Sequence, residues 1–234
     1  MTMKARIHVG GADARQFLQG QLTADLSGVA PGEARLAAWC TAQGRVICVV
    51  TVAAASEGFD LTLPAELAAE VIHRLRRYIL RARVHLEEPL IGSDAATGPD
   101  EELADVRAGL PEIYLGTTEQ WIPQMLNLDL LGAIGFTKGC YPGQEIVTRT
   151  RHLGRVKRRM FRYHCEAAAL APRTALHLAG TQVGEVVRSA PSPDGSECLA
   201  VVELEAAGQA LVTATGAQCS PLALPYPIPE LVKA

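Results

Sequence analysis

Cys140 is the residue of this sequence whose type and surroundings are best suited to chemistry. It lies in the octet KGCYPGQE, which runs from Lys138 to Glu145. Two glycines and a proline around one cysteine predict a tight backbone turn, and such a turn buries little of the thiol. A free cysteine without a chemical role more commonly fills a small space in an apolar core. We therefore expect Cys140 to be exposed and to act as the catalytic residue.

Cationic side chains flank this cysteine in the sequence. Lys138 lies just before it, and Arg149 and Arg151 follow the octet. Nearby positive charge favours the thiolate, which is the form of cysteine that attacks electrophiles and binds metals. The residues predicted to bind a ligand or to support the site all lie in or just after the octet: Lys138, Gly139, Tyr141, Gly143, Gln144, Glu145, Arg149 and Arg151.

Charge and cysteine content limit the classes of function. The formal net charge is -3, yet basic residues dominate positions 138 to 162, where Glu145 is the one acidic residue. Such a basic patch attracts anions, which include polyglutamylated cofactors, phosphates and RNA. The six cysteines form no CxxC pair and no spacing typical of zinc or iron–sulfur ligands, so the sequence predicts no metal site.

The sequence also predicts a cytoplasmic protein that makes no contact with a membrane. The longest apolar run, Val46 to Ala55, has about half of the roughly 20 residues that a spanning helix needs. The amino terminus lacks the apolar segment of a secretory signal. In that compartment the cysteines are expected to stay reduced.

The first half of the chain predicts a mixed unit of strands and helices. A helix capped by Asp13 should end at Gly20 in the left-handed conformation. A hairpin turn is expected at Gln43-Gly44, and a second helix should begin at Pro64. The apolar face of that helix should carry Leu67, Val71, Leu75 and Tyr78. Strands are expected over residues 5–9, 34–41, 45–53 and 81–86.

The second half begins with poorly periodic sequence and ends in short β-like runs. A loop over 89–99 and an acidic helix over 100–108, ended by Gly109, precede an irregular segment after Pro123. The β-like runs cover residues 156–165, 174–178, 181–188, 197–204 and 209–213, and their spacing is typical of a small antiparallel barrel. We therefore predict an α+β domain over 1–153 and a β-barrel domain over 154–234.

The octet, with IVTRTRHLGRVKR behind it, resembles the signature of the YgfZ family. Three further stretches agree in order: GADARQFLQGQLTADL, WIPQMLNLDLLGAIGF and LPYP. The resemblance implies the GcvT-like fold, in which lobes surround a groove for tetrahydrofolate and a C-terminal β-barrel closes the structure. It also implies a helper role in the assembly or repair of iron–sulfur clusters in client enzymes, one of which thiomethylates tRNA. The expected partners are thus iron–sulfur client enzymes and a folate derivative.

The sequence departs from the family pattern at three places. Between Val84 and Arg107 it has a short loop and one helix, which implies a reduced middle lobe. The aromatic residues that line the folate groove in other members have no match here; the resemblance places them near Met3 and Glu101, and their loss weakens the expectation of tetrahydrofolate. Cys48 and Val49 stand where aminomethyltransferases of the superfamily carry acidic residues, so aminomethyl transfer is not expected, since neither side chain can serve as a carboxylate.

Two alternatives remain open besides a Cys140-based helper. The basic patch over 138–162 is also compatible with an RNA-binding module, although aromatic residues for base stacking are few and direct nucleic-acid binding is disfavoured. A retained but inactive folate-type scaffold that only docks partners would share the fold without needing the thiol. Substitution of Cys140 separates that scaffold from the helper.

Overall fold

We describe the protein from a computed structural model, over residues 2–92, 98–152 and 156–229. An antiparallel sheet forms the first part of the chain and a closed barrel the second, and a stretch with helices and turns connects them. The α+β class with a C-terminal antiparallel barrel is therefore confirmed. No helix within the described ranges has the length and apolarity to cross a membrane.

The N-terminal sheet has five strands in the order β2-β3-β4-β1-β5. The β2–β3 hairpin confirms the predicted turn at Gln43-Gly44. The sequence analysis missed β4, although Phe59, Leu61 and Leu63 alternate on its buried face. The strand bounds are β1 (Lys4–Gly10), β2 (Ala34–Cys40), β3 (Val46–Ala55), β4 (Gly58–Pro64) and β5 (His85–Leu86).

Two helices accompany this sheet, α1 (Ala14–Gln19) and α2 (Ala65–Arg76). Leu67, Val71 and Leu75 of α2 are buried as predicted, because residues three and four apart share one helix face. Tyr78 was wrongly assigned to that face, since the helix has ended before it and its side chain is 50% exposed. Pro64 is the last residue of β4 and precedes the helix, so it does not occupy the first helical position.

The predicted ends of α1 are wrong in detail. Asp13 does not cap the helix with its side chain, because its carboxylate accepts a hydrogen bond from the backbone N–H of Arg83 at 2.8 Å and contacts the Arg83 guanidinium. Gly20 has a φ of -83° and is right-handed. The predicted strand over 81–86 is reduced to His85–Leu86, which pairs with the end of β1.

The connecting stretch contains α3 (Pro99–Arg107) and α4 (Gln144–His152), with single 3-10 turns at Leu115–Thr117 and Pro123–Leu126. The acidic helix and the irregular segment after Pro123 are confirmed. The sequence analysis did not predict α4, which begins inside the octet. One helix and two turns between β5 and the octet agree with a reduced middle lobe in the described part of the chain.

The closed barrel has the strand order β10-β11-β6-β9-β8-β7. Five of its strands match the predicted runs. The sequence analysis missed the last one, in which Pro221 weakens the β signal. The strand bounds are β6 (Arg158–Cys165), β7 (Ala175–Leu178), β8 (Thr181–Ser192), β9 (Gly195–Glu203), β10 (Leu211–Thr213) and β11 (Gln218–Leu222).

The barrel shares its packing with the sheet unit through β9, which is buried on both faces. Ala200 and Val202 belong to the core of the barrel, whereas Leu199 and Val201 belong to the larger core that contains the sheet. Alternating side chains of one strand thus fill two cores. The predicted boundary between residues 153 and 154 lies outside the described residues, and the two-domain division stays a prediction.

A buried ion pair fixes the first barrel strand to the connecting stretch. Arg159 is 3% exposed, and its guanidinium donates to both carboxylate oxygens of Asp129 at 3.0 and 2.9 Å. It also donates to the backbone oxygen of Gln124 at 2.9 Å. This bidentate geometry fixes the orientation of the guanidinium as well as balancing its charge. The ion pair therefore fixes the position of the barrel relative to the segment before the octet.

Candidate functional site

Cys140 is exposed, as the sequence predicts, and it differs in this from the other five cysteines of the chain. Those five are buried: Cys40, Cys48, Cys165, Cys198 and Cys219. Burial raises the pKa of Cys48 and of Cys198 to about 12, so these thiols stay protonated at neutral pH. The accessible thiol chemistry of this protein is thus concentrated at Cys140, although its catalytic role stays a prediction.

The turn after Cys140 is shaped by Gly143, which packs against the β2–β3 hairpin. Gly143 has a φ of +81°, and a Cβ atom built there would lie 2.5 Å from the backbone oxygen of Thr41 and 2.6 Å from the Cα of Gly44. Both the dihedral angle and the contact require glycine. Gly44 itself lies in the hairpin turn, with a φ of +71°. The octet and the hairpin therefore approach each other backbone to backbone.

Lys138 attaches the start of the octet to the segment that follows α1. Its ammonium donates to the backbone oxygens of Leu22 and Ala24, both at 2.7 Å, and lies 5.3 Å from the ring centroid of Tyr141. Burial lowers the pKa of Lys138 to about 8. The side chain predicted to stabilise the Cys140 thiolate thus has a second, structural role as a tether. Its electrostatic effect on Cys140 stays a prediction.

Tyr141 lies beneath the octet, with 6% of its surface exposed. Burial, and to a smaller extent the nearby Cys40, raise the pKa of its hydroxyl above the ordinary value. The hydroxyl has no hydrogen-bond partner among the described residues. The residue directly after the exposed cysteine is therefore buried, next to β2. Tyr141 also lines the cavity described next.

A shallow cavity of about 540 Å³ opens beside Cys140. The polar residues of its lining are Cys140, Gln144, Glu145 and Thr148. Phe136, Tyr141, Ala42 and Gly143 complete the lining. Pockets of roughly 300–1,000 Å³ with a few polar groups are the usual size of small-molecule sites. The structure thus brings Gln144 and Glu145 to the same cavity as Cys140.

Helix α4 carries the cationic residues that the sequence analysis assigned to the site. Arg149 and Arg151 are exposed, and neither is among the residues that line the Cys140 cavity. The guanidinium of Arg151 lies 3.9 Å from the ring centroid of Phe136, a cavity residue, in a cation–π contact. Gly139 is exposed, and a Cβ there would meet nothing within 4 Å. Arg151 thus contacts a residue of the cavity, and the contacts of Arg149, Arg151 and Gly139 with a ligand stay a prediction.

Several residues that support the site were missed by the sequence analysis. Thr23 is fully buried, and its hydroxyl donates to the backbone oxygen of Ala133 at 2.7 Å while accepting from the N–H of Ala38 at 2.8 Å. It thus joins β2 to the segment before the octet. Gln124, also buried, donates to the backbone oxygen of Val147 at 2.6 Å and holds α4. The sequence does not indicate these roles, because a buried threonine or glutamine acts here through backbone partners that are distant in sequence.

Comparison with known proteins places the chain in a family. A scan against models of known protein families finds no match. The chain is 31% identical to an uncharacterized protein of Haemophilus influenzae, covering 69% of this chain and 71% of that protein. It is 29% identical to the tRNA-modifying protein YgfZ of Shigella boydii and 26% identical to that of Edwardsiella ictaluri. Each match covers 67% of the YgfZ protein concerned. This chain belongs to the YgfZ family.

A solved structure agrees with this assignment at the level of fold. The crystal structure of glycine cleavage system aminomethyltransferase T from Bartonella henselae superposes with a TM-score of 0.76 at 14% identity, covering 95% of this chain and 83% of that one. The resemblance to YgfZ proteins and the GcvT-like fold expected from it are thus confirmed. Within this YgfZ protein, Cys48 and Val49 are buried in β3.

The contact between Gly143 and the hairpin can be tested by a substitution that adds one methyl group at position 143. We expect Gly143→Ala to lower the free energy of unfolding by about 2 kcal/mol or more, because the added Cβ meets backbone atoms at an unfavourable φ. Gly139→Ala is the matched control in the same turn, with an expected change within about 0.5 kcal/mol. Urea denaturation of both variants measures the difference. Equal stability of the two variants would contradict the described packing.

Proposed function

We propose that this YgfZ protein is a cytoplasmic helper in the assembly or repair of iron–sulfur clusters in client enzymes, including a tRNA-modifying enzyme, and that it acts through Cys140. The observation that carries the proposal is the exposure of one cysteine, on a turn fixed by Gly143, at the edge of a cavity. The tRNA-modifying name of the relatives supports a client of that kind.

The proposed chemistry uses the thiolate as a reversible ligand. Cys140 loses its proton to solvent and donates a sulfur lone pair to iron that the client presents, and the bond breaks again when the cluster is released. Thiolates are the usual protein ligands of iron–sulfur clusters. Arg149 and Arg151 hold the anionic part of the client or its cluster, while Gln144 and Glu145 bind groups that enter the cavity.

Aminomethyl transfer is not part of the proposal. The comparison with an aminomethyltransferase concerns the fold alone, at 14% identity. The resemblance places Cys48 and Val49 where the transferase has its acidic residues, and both are buried and uncharged here. A thiol with a pKa of about 12 cannot replace a carboxylate at neutral pH.

The helper proposal predicts the behaviour of Cys140→Ser. In a strain without its own copy of the gene, the variant should lose most of the client activity that the unaltered protein restores, measured as thiomethylation of tRNA. Serine keeps the size and polarity of the side chain but does not supply a thiolate at neutral pH.

Cys48→Ala provides the control for this experiment, since it removes a buried thiol of the same half. It should retain client activity if the protein folds, which thermal unfolding checks for both variants. Full activity of Cys140→Ser would exclude the thiol mechanism and favour the scaffold that only docks partners.

A folate derivative is the cofactor that we propose, at a cavity of about 530 Å³ whose lining includes Thr2 and Glu102, next to the positions where other family members carry groove aromatics. Its lining includes Glu66, Tyr114 and Arg173. Carboxylates accept from the N–H groups of a pterin, and a guanidinium binds the carboxylate of a glutamate tail, so these residues fit the group. Bound tetrahydrofolate would supply reduced pterin nitrogens that can carry one-carbon units.

Calorimetric titration with tetrahydrofolate tests the cofactor. Saturable binding is expected, and Arg173→Gln should weaken it roughly tenfold, the loss of about 1.4 kcal/mol that one charged hydrogen bond can supply. Arg158→Gln is the matched control, because both arginines are exposed and pair with a glutamate: Arg173 with Glu185 at 3.7 Å and Arg158 with Glu203 at 2.6 Å. No saturable binding to the unaltered protein, or the same loss in both variants, would exclude this site.

A further inference from the structure

A third cavity lies between the β2–β3 hairpin and the end of α2, with a volume of about 580 Å³. It is lined by Trp39 and Ile47 of the hairpin strands and by Arg74, Arg77 and Tyr78 from the helix and the turn after it. It shares Ala42 with the Cys140 cavity, but none of the residues proposed for iron–sulfur chemistry or for folate lines it. The proposed function therefore leaves this cavity unexplained.

Trp39 gives the first indication of a ligand. Its side chain is 1% exposed, and its indole Nε1 has no hydrogen-bond partner among the described residues. The other tryptophan, Trp121, donates from its Nε1 to a carboxylate oxygen of Glu185 at 3.0 Å. A buried donor without a partner costs about 1–3 kcal/mol and is rare in folded proteins. An acceptor on a molecule in this cavity would remove that cost.

The charges around the cavity give the second indication. Arg74 is neutralised, because its guanidinium donates to Glu70 and to Glu119 at 2.6 Å each. Arg77 is exposed, and its guanidinium forms no hydrogen bond or ion pair with the described residues. Its guanidinium is therefore available to an anion, and arginine binds carboxylates and phosphates in a bidentate manner.

Tyr78 supplies a flat apolar surface beside this charge. Its ring is 50% exposed and meets the Trp39 indole edge to face, with centroids 6.2 Å apart and an interplanar angle of 83°. The exposed part of the ring can take an offset-stacked or edge-to-face contact with another ring, and Arg77 beside it can pair with an anionic group on that ring.

We propose that this cavity binds a small planar aromatic anion. The ring packs against Tyr78, the phosphate or carboxylate pairs with Arg77, and an acceptor atom of the ligand takes the hydrogen bond from Trp39 Nε1. The site is separate from the chemistry of Cys140, and neither proposal depends on the other.

Calorimetry with the full chain tests the binding and the class of anion. The probes are adenosine 5′-monophosphate, 4-hydroxybenzoate, and inorganic phosphate as an anion without a ring. One of the two aromatic probes should bind at least tenfold more tightly than inorganic phosphate. Arg77→Gln should weaken that binding at least tenfold, and Arg81→Gln should leave it unchanged, because Arg81 is also exposed but does not line the cavity. No binding of either aromatic probe, or equal losses in the two variants, would overturn the proposal.

The two tryptophans provide a second readout. The ¹⁵N-labelled protein has two indole N–H signals, and the Trp39 signal should shift when the aromatic probe binds, while that of Trp121 stays in place. Trp39→Phe assigns the signals and removes the donor. If the probe binds and only the Trp121 signal moves, the ligand lies elsewhere and the assignment of this cavity is wrong.

Discussion

The backbone contact between Gly143 and the β2–β3 hairpin is the constraint on which the rest of the site depends. With a Cβ position 2.5 Å from the oxygen of Thr41, no other residue allows the octet to come this close. The contact fixes where the turn ends and where α4 begins, and this leaves Cys140 on the outside and Tyr141 inside. Lys138 secures the other end through two backbone oxygens. An exposed thiol is thus held on a rigid frame.

The larger architecture keeps that frame in place from two sides. The sheet supplies the hairpin, and the barrel holds the segment before the octet through the ion pair of Arg159 and Asp129. Strand β9 adds packing between both cores. The fold is shared with an aminomethyltransferase, but a shared fold does not set the chemistry, because function depends on the residues of the site. On β3 the buried Cys48 and Val49 carry no carboxylate, and Cys140 is the exposed thiol.

Much of the fold was predictable because its signals are local. The turn at Gln43-Gly44, the acidic helix ended by Gly109 and the short runs of the barrel follow from residue types and periodicity. Strand β11 was not predicted, because Pro221 interrupts its short β-like run. Asp13 did not cap α1 because Arg83, 70 residues later, competes for its carboxylate.

Exposure of Cys140 was predictable from the turn chemistry, whereas the roles of Thr23 and of Lys138 as a tether depend on partners more than 100 residues away.

The most direct measurement of the central claim is the rate at which iodoacetamide alkylates each of the six cysteines of the native protein at pH 7, followed by peptide mass spectrometry. Cys140 should be modified first, at least about tenfold faster than any other cysteine, because alkylation requires both access and thiolate character. Alkylation of Cys140 at the same rate as the buried cysteines, or only after unfolding, would contradict the account.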